Sequence, residues 1–252
     1  ACRENTLTLT IEDDGTGFDP ASAPGIQQGH FGLQGMRERM KRLGGNLDIR
    51  EMVAGTTLTL PVFVDGAQLW SGDSHAAQGN GEINLTAIET AFSELNLTVE
   101  LVKGARLAWP RLETPTHWIT VGYDRDLNRA LDLLEEETVK FLVETQGMDA
   151  TGARRHMAMF GDCRVAEVVN QVKGLYCMLP KRPRAQPGIR PVGETRRHHV
   201  SHAVDADLME ALNASAMHMI REVSDRRQLR PIDAYSLASL AMDARVGRLE
   251  PG

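Results

Sequence analysis

Residues 113–165 recur as residues 194–246, at a constant offset of 81 and without a gap. A gapless register over this length is hard to obtain by chance, so each element of the first copy is expected again in the second. Two long amphipathic helices are therefore predicted, near residues 126–146 and 207–227. The matched pairs include Glu113 and Glu194, His117 and His198, Asp126 and Asp207, Leu127 and Leu208, and Arg164 and Arg245.

The helix of the first copy shows an apolar stripe at helical spacing. Asp124 or Asp126 is expected to cap its first turn. Glu135, Glu136 and Glu137 form a charge run, which is expected to be a solvated face. The residues of the stripe are Leu127, Ala130, Leu131, Leu134, Thr138, Phe141 and Leu142.

The start of the chain alternates apolar and polar residues in the manner of a half-buried strand. Leu7, Leu9 and Ile11 alternate with threonines and a glutamate. The preceding sequence offers this strand no partner, so the chain is expected to begin in the middle of a domain. Residues 56–122 are rich in Val, Thr and Leu and are punctuated by glycines, which favours strands. The predicted class is α+β, a β-rich core with two long amphipathic helices in a mosaic architecture.

Composition limits the classes of molecule that the chain is expected to bind. With 252 residues, of which 42% are hydrophobic, the chain can bury one sizeable core or two modest ones. A net charge of −6 argues against nucleic acid and anionic membranes as partners. Three scattered cysteines predict buried thiols in a cytoplasmic protein. Neither a transmembrane run nor a leader is recognised, so a soluble protein is expected.

Two glycine-rich segments near the start suit a nucleotide. In IEDDGTGFDP, Asp13 can accept from an exocyclic amine, while Gly15 and Gly17 let the backbone approach a flat ring. In GHFGLQGMRERM, Gly32 leaves backbone N–H groups near a helix start to face phosphates. Taken alone, each segment also fits an ordinary polar turn.

Together these segments resemble the ATP-binding domain of bacterial sensor histidine kinases, over residues 5–45. Asp13, Gly15 and Gly17 match that family's first glycine box, and Gly32 belongs to its second. The upstream helix with its Mg²⁺-holding Asn and the phosphoacceptor His helix have no room before residue 5. A nucleotide-binding module is therefore an alternative function, and kinase activity is not expected.

The segment GDSHAAQGNGE, residues 72–82, gathers acidic, imidazole and amide side chains among glycines. Imidazole and carboxylate groups suit zinc, and glycines allow turns tight enough to point several of them inward. A carboxylate left off the metal can act as a general base. The alternative interpretation is a glycine-rich surface turn.

Four motifs in order place residues 44–181 close to a known family. They are GGNLDIREMVAGTTLTLPVFV, GDSHAAQGNGE, LAWPRLETPTHWITVGYDRDLNRAL and VVNQVKGLYCMLPK. The run resembles the acetamidase/formamidase family. The resemblance implies hydrolysis of a small aliphatic amide to carboxylate and ammonia with a bound divalent metal, zinc, and a homo-oligomeric assembly.

The resemblance also implies the site residues. Glu82 is expected to be the general base. His117 is expected to contact substrate or to complete the coordination, with a structural histidine at a strand end as the alternative. The expected metal ligands are Asp48, Asp73 and His75, and the expected substrate-binding residues are Asn46 and Gln78.

The chain departs from the family pattern at two points. Asn80 stands where the family usually has Asp, a change that weakens metal binding by roughly 10- to 100-fold if that Asp orients a ligand. The family's region before GGNLD is replaced by the kinase-like fragment. An inactive mosaic, with its site residues present but not assembled, is therefore a further alternative.

The predicted division has four parts. Residues 1–45 are the kinase-like fragment and residues 44–181 the catalytic segment. Residues 182–191, rich in Pro and Arg, form a linker. Residues 192–252 hold the partial repeat of the amidase C-terminal segment, matched over 192–247. This second copy is expected to pack as an extra αβ layer, to pair with the first copy as a pseudo-dimer, or to remain unpacked against the rest of the chain.

Overall fold

The computed structural model of the chain describes residues 6–12, 47, 49–62, 69, 72, 74–91, 95–103, 107–182, 193–194 and 198–247. The helices in these ranges are α1 (Leu127–Gln146), α2 (Ala150–Phe160), α3 (Leu208–Arg227) and α4 (Pro231–Ala241). The strands are β1 (Thr6–Glu12), β2 (Thr57–Pro61), β3 (His75–Ala77), β4 (Ile88–Glu89), β5 (Asn96–Val102), β6 (Arg111–Glu113), β7 (His117–Asp124), β8 (Asp162–Glu167), β9 (Lys173–Pro180), β10 (Gly193–Glu194) and β11 (His199–Val200). The α+β class is confirmed, with both long helices where the repeat predicts them.

One seven-stranded sheet organises the fold, in the order β5-β1-β2-β6-β7-β9-β8. Strand β1 runs parallel to both β2 and β5, whereas the pairs from β2 to β8 are antiparallel. Two small two-stranded sheets, β3-β4 and β10-β11, lie outside it.

Strand β1 has a partner on each side in the sheet. Leu9 pairs with Leu58 of β2 on one side and with Val99 of β5 on the other. Both neighbours come from later sequence, which is consistent with the expectation that the preceding sequence offers no partner. Residues 56–62 are buried or half-buried.

Helix α1 packs on the sheet. Asp126 caps it by accepting from the backbone N–H of Asn128 at 2.8 Å, and Gly147 ends it with φ 65°. The helix lies close to β7, since a Cβ on Gly122 would lie 2.3 Å from the backbone oxygen of Ala130. No described helix is both long and apolar enough to cross a bilayer.

The charge run on α1 differs from its prediction at one position. Glu137 is only 4% exposed, whereas the side chain of Glu136 is 63% exposed. The helical period turns Glu137 toward β6, where Arg111 donates to its Oε1 at 2.7 Å. Glu137 is therefore part of a buried ion pair and not of a solvated face.

The second copy reproduces the elements of the first. Helix α3 has the same length as α1 and starts 81 residues later, and α4 stands in the same relation to α2. The pairing of Glu113 with Trp118 returns as that of Glu194 with His199. The copy packs as an added layer, because Leu208, Met209, Leu212, Met242 and Val246 contact the core that α1 forms with the sheet.

Two of the cysteines are joined. Cys163 of β8 and Cys177 of β9 are partners in register, and their sulfurs form a disulfide. The prediction of reduced thiols is therefore wrong for this pair. Spacing alone could not reveal it, because only the antiparallel register brings the two residues together. Cys2 lies outside the described residues.

Candidate active site

Strands β3 and β4 begin the candidate site. Their register places His75 opposite Glu89. His75 Nδ1 lies 2.9 Å from Gln78 Oε1, and Nε2 lies 3.2 Å from Glu89 Oε1. An amide oxygen can only accept, so Nδ1 carries the hydrogen in the contact with Gln78. The imidazole is therefore oriented, with Nε2 directed at a carboxylate oxygen.

Glu89 was not among the predicted site residues. Its side chain is 73% exposed, whereas that of His75 is 9% exposed. An imidazole nitrogen facing a carboxylate oxygen is stabilised by a proton on the nitrogen or by a cation shared between the two. No local pattern marks Glu89, because it lies 14 residues from His75 and meets it only through the β3-β4 pairing.

The loop that follows β3 takes an unusual backbone path. Gly81 has φ 99°, and Glu82 has φ 37°, a region that non-glycine residues seldom adopt. The Gly81 N–H donates to Ala166 O at 3.1 Å, which attaches the loop to the end of β8. Oε2 of Glu82 is buried. The loop thus holds the backbone of Glu82 in a conformation that costs on the order of 1 kcal/mol, with one carboxylate oxygen buried.

Asn80, the departure from the family pattern, is enclosed in the same loop. It is 3% exposed. The Tyr176 hydroxyl donates to Asn80 Oδ1 at 2.9 Å, and Asn80 Nδ2 donates to Asp243 Oδ1 at 3.3 Å. The amide therefore links a residue at the centre of β9 to a residue of the second copy.

A network of charges lies beside this link. Arg164 donates to Glu51 Oε1 at 2.7 Å and to Asp162 Oδ2 at 2.6 Å. Burial alone would lower the pKa of Arg164, but Asp162 and Glu51 hold it above its ordinary value. Burial, reinforced by Glu51, likewise raises the pKa of Tyr176. Tyr176 is therefore a neutral donor near neutral pH.

His117 lies at the start of β7. Its backbone N–H donates to Thr114 Oγ1 at 2.9 Å, and its Nδ1 lies 2.8 Å from Thr116 Oγ1. These contacts fit the interpretation of a structural histidine at a strand end. Burial is the main reason that the pKa of His117 is lowered, and the charge of Arg164 adds to it against Asp162 and Glu51.

The lowered pKa of His117 predicts a pH-dependent stability. Below about pH 6.5 His117 gains a proton more readily in the unfolded chain than in the folded chain. The free energy of unfolding therefore falls as the pH drops. His117→Gln should reduce this fall. Urea unfolding of both proteins at pH 7.5 and 5.5 measures it, and an equal fall in the two proteins would contradict the assignment.

The structure brings together only part of the predicted set. His75 and Gln78 are in contact, and Glu82 belongs to the loop just beyond them. Within the described residues no group of three or more His, Cys, Asp or Glu is arranged to hold a metal. The predicted residues outside the described ranges are Asp13, Gly15, Gly17, Gly32, Asn46, Asp48 and Asp73.

Short stretches of the chain are similar to known proteins. A stretch of 61 residues is 43% identical to the acetamidase of Mycolicibacterium smegmatis, covering 24% of this chain and 15% of that protein. A stretch of 51 residues is 51% identical to a putative formamidase of Schizosaccharomyces pombe, covering 20% and 12%. The chain thus spans less than a sixth of the length of either relative.

A sensor kinase also matches the chain, over a stretch of similar length. A stretch of 47 residues is 55% identical to the signal transduction histidine-protein kinase/phosphatase UhpB of Salmonella typhimurium, covering 19% of this chain and 9% of that protein.

Among solved structures, the acetamidase of Yersinia enterocolitica aligns with a TM-score of 0.47 and 28% identity, over 54% of this chain and 41% of that one. The acetamidase of Bacillus halodurans aligns with a TM-score of 0.46 and 32% identity, over 54% and 45%.

The family assignment rests on the match to a family's own sequence model. The Acetamidase/Formamidase family matches residues 25–155, which are 131 of the 252 residues. The match covers the GGNLD and GDSHAAQGNGE segments and helix α1, all of which carried the predicted resemblance. The chain belongs to the acetamidase/formamidase family.

Proposed function

We propose that this chain hydrolyses a small aliphatic amide, of the formamide or acetamide type, to carboxylate and ammonia. The observation that carries the proposal is the imidazole of His75, oriented by Gln78 and Glu89, and the loop that follows it in the chain, in which one carboxylate oxygen of Glu82 is buried. Acetamidase and formamidase are the names of the curated relatives, which supports an amide as substrate.

The chemistry of His75 fits a zinc ligand. Metal-binding histidines commonly donate their second ring N–H to an oxygen acceptor, as His75 Nδ1 does to Gln78. This leaves Nε2 toward Glu89 for coordination. Asp48 and Asp73 complete the proposed ligand set, and Glu89 is a carboxylate positioned to join it. When bound, a divalent metal supplies Lewis-acid polarisation of an amide carbonyl.

Glu82 handles the proton in this proposal. Its carboxylate takes a proton from water as the oxygen attacks the amide carbon, and the same proton passes to the nitrogen when the C–N bond breaks. The products are a carboxylic acid and ammonia, so the atoms balance. The fixed backbone of the loop keeps the carboxylate in one place during both transfers.

The role of Gln78 follows from its contact with His75, because the side-chain oxygen already accepts a hydrogen bond there. The Nε2 amide of Gln78 is the end that can donate to a substrate carbonyl, as the predicted substrate-binding role requires. Asn46 keeps its predicted role of binding substrate, whereas His117 is the structural histidine at the start of β7. We further propose that the protein is cytoplasmic and forms a homo-oligomer.

Replacing Gln78 is expected to loosen the metal. Gln78→Leu removes the acceptor that orients His75, so zinc affinity should fall about 10- to 100-fold. A competition titration against a chromophoric chelator measures the change. Gln146→Leu, at the exposed end of α1, is the control. Equal zinc affinity in the Gln78 variant and the control would contradict the proposal that Gln78 orients a zinc ligand through His75.

Ammonia release from formamide and acetamide, with and without added zinc, tests the proposed function. Zinc-dependent release supports it, and the absence of release supports the inactive mosaic instead.

A further inference from the structure

The loop between β3 and β4 is in contact with a segment from the far end of the chain. We propose that residues 231–246, of the second copy, act as a positioning element for the loop of residues 79–84. The hydrogen bond between Asn80 and Asp243 makes the association of the two segments specific. This goes beyond the proposed function, because it concerns the conformation of the loop whatever reaction the loop serves.

The closest approach is at Gly79. Its N–H donates to Ser239 O at 2.9 Å, near the end of α4. A Cβ at this position would lie 2.6 Å from Met242 O and 2.7 Å from Ser239 O. Backbone therefore rests directly on backbone here, and only glycine permits the approach.

Side chains extend the contact to the end of the loop. Ser239 Oγ donates to Asn84 O at 2.8 Å, and Asn84 Nδ2 donates to Tyr235 O at 3.0 Å. The Tyr235 hydroxyl donates to Ile83 O at 2.9 Å. Ser239 is 1% exposed, so its hydroxyl is a buried polar group satisfied by the loop. The α4 helix thus supplies hydrogen bonds to a loop some 150 residues earlier.

The next residues of the second copy continue along β8. Ala244 N–H donates to Asn80 O at 3.4 Å, while Val165 N–H donates to Ala244 O at 3.0 Å. Ala244 therefore joins the loop to the sheet, since its N–H and C=O serve opposite sides. Gly81 lies against the same residue, with 3.2 Å between its ideal Cβ position and Ala244 Cβ.

Polarity makes the contact between Asn80 and Asp243 specific. The Tyr176 hydroxyl donates to Asn80 Oδ1, which turns the NH₂ end of the amide toward Asp243. Asp243 is a carboxylate held in place by Arg50, at 2.5 Å, and by Arg245, at 3.8 Å. An Asp at position 80, which is only 3% exposed, would bring its carboxylate to about the 3.3 Å that now separates the Asn80 amide from Asp243, and such a contact between like charges is unfavourable.

The test is a mutant cycle of Asn80→Asp, Asp243→Asn and the double variant, read by hydrogen exchange of the backbone amides of Gly79 and Gly81. Asn80→Asp should speed their exchange roughly tenfold, because the repulsion opens the contact. The double variant restores a donor–acceptor pair, so its exchange should return to within about threefold of the wild type. No acceleration in Asn80→Asp, or no recovery in the double variant, would overturn the proposal.

Two further variants complete the experiment, one as a control and one as a substitute if Asn80→Asp does not fold. Asn213→Asp, the same change at an exposed position of α3, is the control and should leave the loop amides unchanged. If Asn80→Asp does not fold, Ser239→Ala carries the test: exchange across residues 79–84 should be several-fold faster, with α1 unaffected. Unchanged loop exchange in Ser239→Ala would then refute the proposal. Exchange does not depend on amide hydrolysis, so an inactive enzyme leaves this result intact.

Discussion

Glu82→Gln is expected to lower kcat/KM for hydrolysis of formamide and acetamide by at least about 100-fold. The substitution replaces the carboxylate by an amide of the same shape, so the unusual φ of the loop is kept. What would be lost is the group that we propose accepts a proton from the attacking water, and general base catalysis is worth roughly 10²–10⁴-fold. Initial rates of ammonia release measure the loss.

Two control measurements separate the loss of the proton acceptor from other effects of the substitution. Glu100→Gln, on the exposed strand β5, removes the same charge far from the loop and should keep full activity. Zinc affinity of Glu82→Gln should match the wild type, since Glu82 is assigned to proton transfer and not to the metal. Wild-type activity in Glu82→Gln would disprove its role, and a parallel loss of zinc would move it into the ligand set.

Arg164→Met is expected to lower the free energy of unfolding by about 3 kcal/mol. The side chains of Arg164, Glu51 and Asp162 are only 9%, 14% and 14% exposed. Removing the central cation leaves two nearly buried carboxylates with only the longer contacts to Arg50, 3.8 Å from Glu51, and Arg245, 3.4 Å from Asp162. Breaking a buried pair typically costs about 3–5 kcal/mol, and the remaining contacts place the expected loss at the lower end of that range. Urea unfolding at pH 7.5 measures the change.

The matched control is Arg154→Met. Arg154 pairs with Glu135 at 2.8 Å, but the two side chains are 57% and 38% exposed. Solvent screens such a pair, so the expected loss is at most about 1 kcal/mol. If both variants lose equal stability, the network around Arg164 is no more than a surface ion pair in energetic terms.

Elements with a local signal could be predicted from the sequence. The capping Asp126 and the apolar stripe specify α1, because both signals lie within a few turns of the chain. The 81-residue offset then carries the same prediction to α3. Glu137 was misjudged, since a run of charges looks solvated until the position of β6 is known. The disulfide between Cys163 and Cys177 escaped for the same reason, because only strand register brings the pair together.

The candidate site shows the same limit. His75 and Gln78 could be identified together because they are three residues apart in one motif. Glu89 and Asp243 could not, because one meets the site through a strand pairing and the other through the docking of the second copy. Asn80 was noticed only as a departure from the family. Its meaning became visible once Tyr176 and Asp243 were found at its two ends.

The measurement that tests the account most directly is ammonia release from formamide and acetamide by the purified chain, with and without zinc. The account predicts release that depends on zinc and is lost in Glu82→Gln. Absence of release from either amide at saturating zinc, in a folded chain, would contradict it.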